Sequence, residues 1–308
     1  MNSLLPHDRL VPLKTRAPHT ITWYTCGPTV YDHAHLGHAR NYVTVDILHR
    51  ILKEFFRLDV HHVLGMTDID DKILNRARDL QVSPVTLARQ FEREFFADMR
   101  AMNVQSPSVV TRVSEHVPEI RQFVEQITKN GYAYKAPSDS TYFDVTAFQQ
   151  QHYYGKLKPE LNLVPESDPD LVTSLHAHEK RAPRDFALWK SQDGGRPGWH
   201  IECVAMSHAI LGKHFDVHSG GIDLKFPHHN NEVAIADAYL SSDSCHHVSE
   251  HEWVNYFLHI GHLNIKGLKM SKSLKNFITI KVFPCTLGSS KYIYICTFSL
   301  NICTDRNI

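Results

Sequence analysis

The 308 residues contain no CxxC pair, no run of eighteen apolar residues and no excess charge of either sign. Each absence removes a class of protein. The six cysteines, at 26, 203, 245, 285, 296 and 303, are too scattered for a disulfide framework, and a reduced compartment suits them better. Without a long apolar run there is no candidate membrane helix. The opening MNSLLPHDRLVPLKTRAPH places prolines where a secretory signal would carry an apolar block. A soluble cytoplasmic chain with no membrane partner is the expectation. Lys plus Arg and Asp plus Glu number 33 each, so affinity for a charged partner must come from local clusters rather than from the whole molecule.

What remains is ample for a core: 42% of residues are hydrophobic. The length is near the roughly 250 to 300 residues at which single cores stop growing, so one large domain with an insertion, or two domains, is expected. The 23 histidines warn against reading any one of them as a ligand.

TITWYT (20–25) reads as a strand, aromatic and β-branched. Ile47, Leu48, Ile51, Leu52, Phe55 and Phe56 then recur at helical spacing and predict a helix over about 38–57 with one apolar stripe. VHHVLGM (60–66) is a second strand, and a second helix opens in TDIDDKILNRARDL with Thr67 or Asp68 as N-cap. Strand, helix, strand implies a right-handed crossover and a parallel sheet. Residues 86–130 are helical in pattern, 132–145 read as a strand pair, and 146–183 are polar and proline-punctuated like an insertion. FALWK, GWHIECVAMSHAIL, HFDVH, EVAIADAYL and WVNYFLHIGHL make a second α/β half. The expected division is a 1–19 extension, a first catalytic half at 20–130, a connective insertion at 131–198, a second half at 199–281, and an atypical tail at 282–308. The tail is expected to lie outside the fold, with its β-prone run KYIYICTFSL as an edge strand in the alternative.

Two motifs carry chemistry. HLGH (35–38) puts His35 and His38 one turn apart on a helix, with Gly37 between them, just beyond a strand. At a helix N-terminus such imidazoles can donate to phosphate oxygens where the dipole favours anions. KMSKS (269–273) lies in a segment, 261–281, with five lysines (266, 269, 272, 275 and 281) and no acidic residue. Lysines on a mobile loop can close over a pyrophosphate, although a lysine every three residues also makes a solvated stripe. For a metal, His228 and Glu232 stand four apart, and Cys203 and Cys26 complete a Cys, Cys, His, Glu set acceptable to zinc. His229 rivals His228. Spacing alone would not have found the set, because a buried cysteine is the commoner fate of each thiol.

HLGH followed late by KMSKS in a two-half parallel sheet resembles the class I aminoacyl-tRNA synthetases. TCGPTVYDHAHLGHAR, TDIDDKI, GRPGWHIEC, FPHHNNE and WVNYFLHIGHL before KMSKSLKNFITI resemble, over about residues 20–281, the cysteinyl-tRNA synthetase family in its eukaryotic cytosolic form. The resemblance implies an α/β fold: a Rossmann-like nucleotide-binding parallel sheet with an inserted connective subdomain. It implies ATP-dependent formation of cysteinyl-adenylate and transfer to the acceptor end of tRNA(Cys). His35, His38, Lys269 and Lys272 would be catalytic, and with Gly37, Gly220, Gly221 and Asp223 would bind ATP and its Mg2+. Gly27, Thr67, Trp199 and His228 would hold L-cysteine, and Cys26, Cys203, His228 and Glu232 one Zn2+. The carboxylates of TDIDD (Asp68, Asp70, Asp71) read as well as helix-capping groups as they do as reactants.

Three features depart from the family pattern. Asn75 stands where the family often has lysine, only SQDG separates FALWK from GRPGWHIEC, and the resemblance stops near Lys281, before the family's stem-contacting and anticodon-binding regions. Adenylate formation with weak tRNA charging is the expectation. The alternatives are a ligase passing the activated cysteine to a small amine, and an inactive zinc-binding protein.

Overall fold

The strand expected over 20–25 extends further, as β1 (Thr20–Thr29), in a computed structural model that describes residues 12–159, 179–241, 253–265, 268–269, 277–280 and 302–306. It is followed by α1 (Leu36–Arg50), β2 (Asp59–Thr67), α2 (Asp71–Asp79), α3 (Pro84–Ala101) and β3 (Val109–Arg112). Next come α4 (Val117–Lys129), β4 (Ala133–Lys135), β5 (Thr141–Phe143), α5 (Val145–Phe148), β6 (Phe186–Lys190) and β7 (Arg196–Pro197). The rest are α6 (Trp199–Leu211), β8 (Phe215–Gly221), α7 (Asn230–Leu240), β9 (Val254–Ile260), β10 (Asn264–Ile265), β11 (Leu268–Lys269) and β12 (Ile302–Arg306). Among the described residues, those within Met1–Thr111, Phe215–Asp223 and Val254–Asn307 form one compact unit, and those within Arg112–His214 and Leu224–Trp253 a second.

The first unit is built on a six-stranded sheet in the order β3-β2-β1-β8-β9-β12. β1 pairs parallel with β2 on one side and with β8 on the other, and β8 pairs parallel with β9. Such strands are covered on both faces, which is why TITWYT and HHVLGM carry apolar residues with little alternation. Ile21, Trp23, Val60 and Val217 pack with Val45 of α1 in one cluster. Leu64 and Met66 pack with Leu36, Ile73, Phe91 and Phe95 in another. The strand order reverses between β1 and β8, so the crevice beyond their C-terminal ends is where a sheet of this kind receives a ligand.

Three local expectations change. The helix after TDI is capped by Asp70, whose carboxylate accepts from Lys72 N at 2.7 Å, because β2 runs on through Thr67 and leaves Thr67 and Asp68 no capping position. The stripe predicted through Phe56 ends early. After Arg50 the helix widens into a π turn, with Phe56 N bonded to Ile51 O, and this swings Ile51, Phe55 and Phe56 out to 44, 78 and 58% exposure. The 86–130 helical stretch is two helices, α3 and α4, with β3 between them.

The tail expectation is corrected for five residues. β12 pairs antiparallel with β9, from Ile302↔Ile260 to Arg306↔Tyr256, and so belongs to the sheet. An edge strand offers a row of backbone donors and acceptors that takes a further strand with little regard to side chains. KYIYICTFSL lies outside the described residues.

In the second unit β4-β5-β6-β7 form an antiparallel sheet, and α4, α6 and α7 pack together, with Phe123 of α4 stacked on Tyr239 of α7 and Ile120 and Ile127 of α4 buried. The strand pair expected over 132–145 is the β4–β5 hairpin. The short SQDG link is accommodated by a second hairpin, Trp189↔Pro197 and Lys190↔Arg196, with Gly195 at φ 89°.

One buried group in the first unit predicts an acid response. His49 of α1 is 6% exposed, edge-on to Trp23 and His62. Burial, and then the Lys53 charge, lowers its pKa to about 4, and burial likewise lowers that of His62. Between about 6.5 and 4 the unfolded chain binds a proton that the folded chain refuses, so stability falls as pH falls through that window. From His49 alone the loss is about 2 kcal/mol by pH 5. Urea melts at pH 7 and 5 test this. His49→Phe should flatten the dependence, and a variant as acid-sensitive as the parent would contradict it.

Candidate active site

α1 begins where β1 and its following turn deliver it, and histidines fill its capping positions. His35 is the N-cap: its Nδ1 accepts from Gly37 N at 3.1 Å, while His38 Nδ1 accepts from His35 N at 3.2 Å. The two rings stack at 3.9 Å. A ring whose Nδ1 accepts a backbone N–H must, when neutral, carry its proton on Nε2. Both imidazoles are thereby set as Nε2–H donors.

The stretch that follows KMSKS is bound to the same helix start. Leu36 N donates to Ile278 O, Ile280 N donates to Ala34 O, and His35 bridges to Thr279. Ile280 is buried among the residues that cover α1. Lys269 closes β11, which pairs antiparallel with β10, and Lys272 lies outside the described residues.

At the switch point, Cys26 near the end of β1 is 4% exposed, with its carbonyl accepting from Tyr42 OH and its sulfur 3.9 Å from His218 Nε2. Gly27 beside it admits no side chain, since a Cβ would come within 1.8 Å of Gly65 O. Thr67, buried, ends β2 and accepts from Val30 N. β8 ends in Gly220 and Gly221, with Asp223 two residues on, and a Cβ on Gly221 would meet the Asp223 carboxylate at 2.6 Å. Cys26, Gly27, His35, Gly37, His38, Thr67, Gly220, Gly221 and Asp223 all belong to the first unit.

The second unit gathers Trp199, Cys203, His228 and Glu232. His228 Nε2 is 3.6 Å from Cys203 Sγ and 2.8 Å from Glu232 Oε1, and Trp199 stacks on the imidazole at 4.1 Å. The SQDG hairpin therefore does not displace Trp199 or Cys203 from His228. His229 is buried too, yet it is His228 that meets both Cys203 and Glu232. Burial alone would push the His228 pKa down. The Glu232 carboxylate, then the Cys203 thiol, reverse this and hold it up to about 10.

These donors surround a buried position that favours a positive charge, as a divalent ion with thiolate, imidazole and carboxylate ligands requires. Zn–S and Zn–N bonds of about 2.3 and 2.0 Å at the tetrahedral angle put sulfur and nitrogen about 3.5 Å apart, close to the 3.6 Å between Cys203 and His228. The His228–Glu232 contact is that of an ion pair and would have to open by about half an ångström. The donor set fits zinc.

Two residues escaped the sequence reading. His218 sits against Cys26, and His200 Nδ1 lies 3.1 Å from His228 Nδ1. His200 was within reach, because it precedes Cys203 by three positions and so shares its helix face. No comparable spacing marks His218. His33, within the opening motif, pairs with Glu94 of α3 at 2.8 Å.

Residues 12–287 match the family described as tRNA synthetases class I (C) catalytic domain. The chain is 48% identical over 277 residues to the cytoplasmic cysteine–tRNA ligase of Dictyostelium discoideum, covering 85% of this chain and 41% of that protein. It is 46% identical over 298 residues to the probable mitochondrial cysteine–tRNA ligase of Xenopus tropicalis, covering 92% and 49%. The chain thus spans about half the length of these relatives. Among solved structures, Mycobacterium tuberculosis methionyl-tRNA synthetase in complex with methionyl-adenylate superposes with a TM-score of 0.63 at 16% identity, over 90% of this chain and 64% of that one, a likeness of fold. Among the described residues no helix is long and apolar enough to cross a membrane.

Proposed function

We propose, for a chain that belongs to the family of class I (C) tRNA synthetase catalytic domains, that it activates L-cysteine with ATP and passes the cysteinyl group to tRNA(Cys). The observation that carries the reading is the backbone pairing of residues 278–280, which follow KMSKS in the chain, with Ala34–Leu36 at the start of the HLGH helix. The cysteine carboxylate attacks the α-phosphate of ATP, pyrophosphate leaves, and a terminal ribose hydroxyl of tRNA then displaces AMP from the adenylate.

In this reading His35 and His38 donate from Nε2 to phosphate oxygens as charge moves onto the leaving pyrophosphate. Lys269 and Lys272 neutralise that charge, with Mg2+ accompanying ATP. Gly37 leaves the backbone open to the phosphates, Gly220 and Gly221 let the ribose approach, and Asp223 accepts from its hydroxyls. Gly27, Thr67, Trp199 and His228 frame the amino acid. Cys26, Cys203, His228 and Glu232 hold zinc, which when bound supplies a ligand site that a thiolate fills and a serine hydroxyl does not. We assign the chain to the cytoplasm on its likeness to the Dictyostelium cytoplasmic enzyme.

The test is exchange of labelled pyrophosphate into ATP by the 308-residue chain. Exchange should require cysteine, with serine about 10⁴-fold poorer because it lacks a bond the site is built to make. No cysteine-dependent exchange, or equal exchange with serine, refutes the reading. Preformed adenylate offered to tRNA and to small amines separates transfer to tRNA from an amine ligase.

A further inference from the structure

Behind the ends of β1 and β8 runs a chain of side-chain hydrogen bonds that the proposed chemistry does not use. Trp23 Nε1 donates to Ser219 Oγ at 2.7 Å, Ser219 Oγ and Thr25 Oγ1 are 2.8 Å apart, and Thr25 Oγ1 is 2.9 Å from His62 Nε2. Thr25 and Ser219 are fully buried and Trp23 is 3% exposed. Thr25 and Ser219 are direct partners across the β1–β8 pair, and His62 reaches Thr25 diagonally from its own position opposite Trp23. Three neighbouring strands are thus stapled on one level.

The donors set a direction. An indole N–H only donates, so each hydroxyl is used fully when Trp23 gives to Ser219, Ser219 to Thr25, and Thr25 to His62 Nε2. The last step needs a neutral His62, and its burial keeps it so. Thr25 is the residue before Cys26, and Ser219 the residue before Gly220. A cavity of about 40 Å3, walled by Tyr42, His49, His62 and Phe95 among others, lies beside His62. It has room for water but not for a substrate-sized molecule.

We propose that Thr25 and Ser219, anchored by His62 and Trp23, are positioning residues that fix the gap between the β1 and β8 ends. This rests on the reading above, in which Cys26–Gly27 serve the amino acid and Gly220–Gly221 the ribose. The staple then sets how closely a carboxylate held at one strand end meets an α-phosphate held from the other. Errors of about 1 Å in such a distance cost on the order of 100-fold in rate.

Thr25→Val keeps the shape and deletes the hydroxyl. It should lower kcat for cysteine-dependent exchange about 10- to 100-fold, with KM for ATP and for cysteine within about threefold. Thr25→Ser should restore kcat, and the double variant Thr25→Val with Ser219→Ala should be no worse than the poorer single variant, because both act through one contact. Should Thr25→Val fail to fold, Ser219→Ala deletes the other hydroxyl of the same contact and carries the test, with Thr25→Ser as the control that keeps it. Unchanged kcat, a loss confined to KM, no restoration by serine, or multiplying effects would overturn the proposal. A parent chain with cysteine-dependent exchange and unaffected variants overturns this inference alone, whereas a parent without such exchange overturns the functional reading and this inference with it.

Discussion

Replacing His38 by asparagine is expected to lower kcat for cysteine-dependent pyrophosphate exchange by about 10²- to 10³-fold, the usual effect of deleting one preorganised donor to a developing anion. Thermal stability should hardly move. The asparagine Oδ1 takes the place of Nδ1, which accepts from His35 N and so caps α1, but nothing replaces the Nε2–H. His38→Gln makes the opposite exchange: its amide nitrogen reaches toward the Nε2 position while the cap is lost. That variant should keep more activity and lose about 0.5–1.5 kcal/mol of stability. The pair separates the two nitrogens of one ring. If both variants lose activity in proportion to stability, His38 is a cap and nothing more, and the phosphate role assigned to it fails.

The features legible in the sequence are those whose cause is local. β1, β2, β8 and β9 announce themselves because a strand covered on both faces needs consecutive apolar, β-branched and aromatic residues, and TITWYT and VHHVLGM supply them. His35 and His38 are legible because their spacing alone places them on one helix turn. Residue type alone does not fix the cap of α2, because the expected Thr67 or Asp68 and the observed Asp70 are all capping residues, and only the length of β2 decides among them. Phe55 and Phe56 fit a helical stripe by period, but a π turn changes the period at the point where they occur. The Cys203, His228 and Glu232 cluster is illegible by spacing, since α6 and the turn leading into α7 bring together residues 25 positions apart, and it is legible only through resemblance. β12 gave no signal because edge pairing uses backbone groups, which every sequence has.

Cys203→Ala carries the other large expected effect, a loss of bound zinc together with a loss of discrimination between cysteine and serine. With sulfur removed, His228 keeps Glu232 at 2.8 Å but loses the thiol 3.6 Å away, so the set proposed for zinc falls from four ligands to three. Structural thiolate sites depend on every ligand, and metal content in the purified protein should drop from about one zinc per chain toward zero. What remains to tell thiol from hydroxyl is then an ordinary pocket against Trp199, and pockets separate near-isosteres by only roughly 10- to 200-fold. Preference for cysteine over serine should therefore shrink from about 10⁴ into that range, mainly through weaker use of cysteine. The substitution removes one atom and puts a strong helix former into α6, so the variant should remain folded, and metal analysis can be made on the same sample as the exchange assay. Zinc retained at one per chain with selectivity unchanged would remove Cys203 from the ligand set and would take the thiol-reading role away from the Cys203–His228–Glu232 cluster.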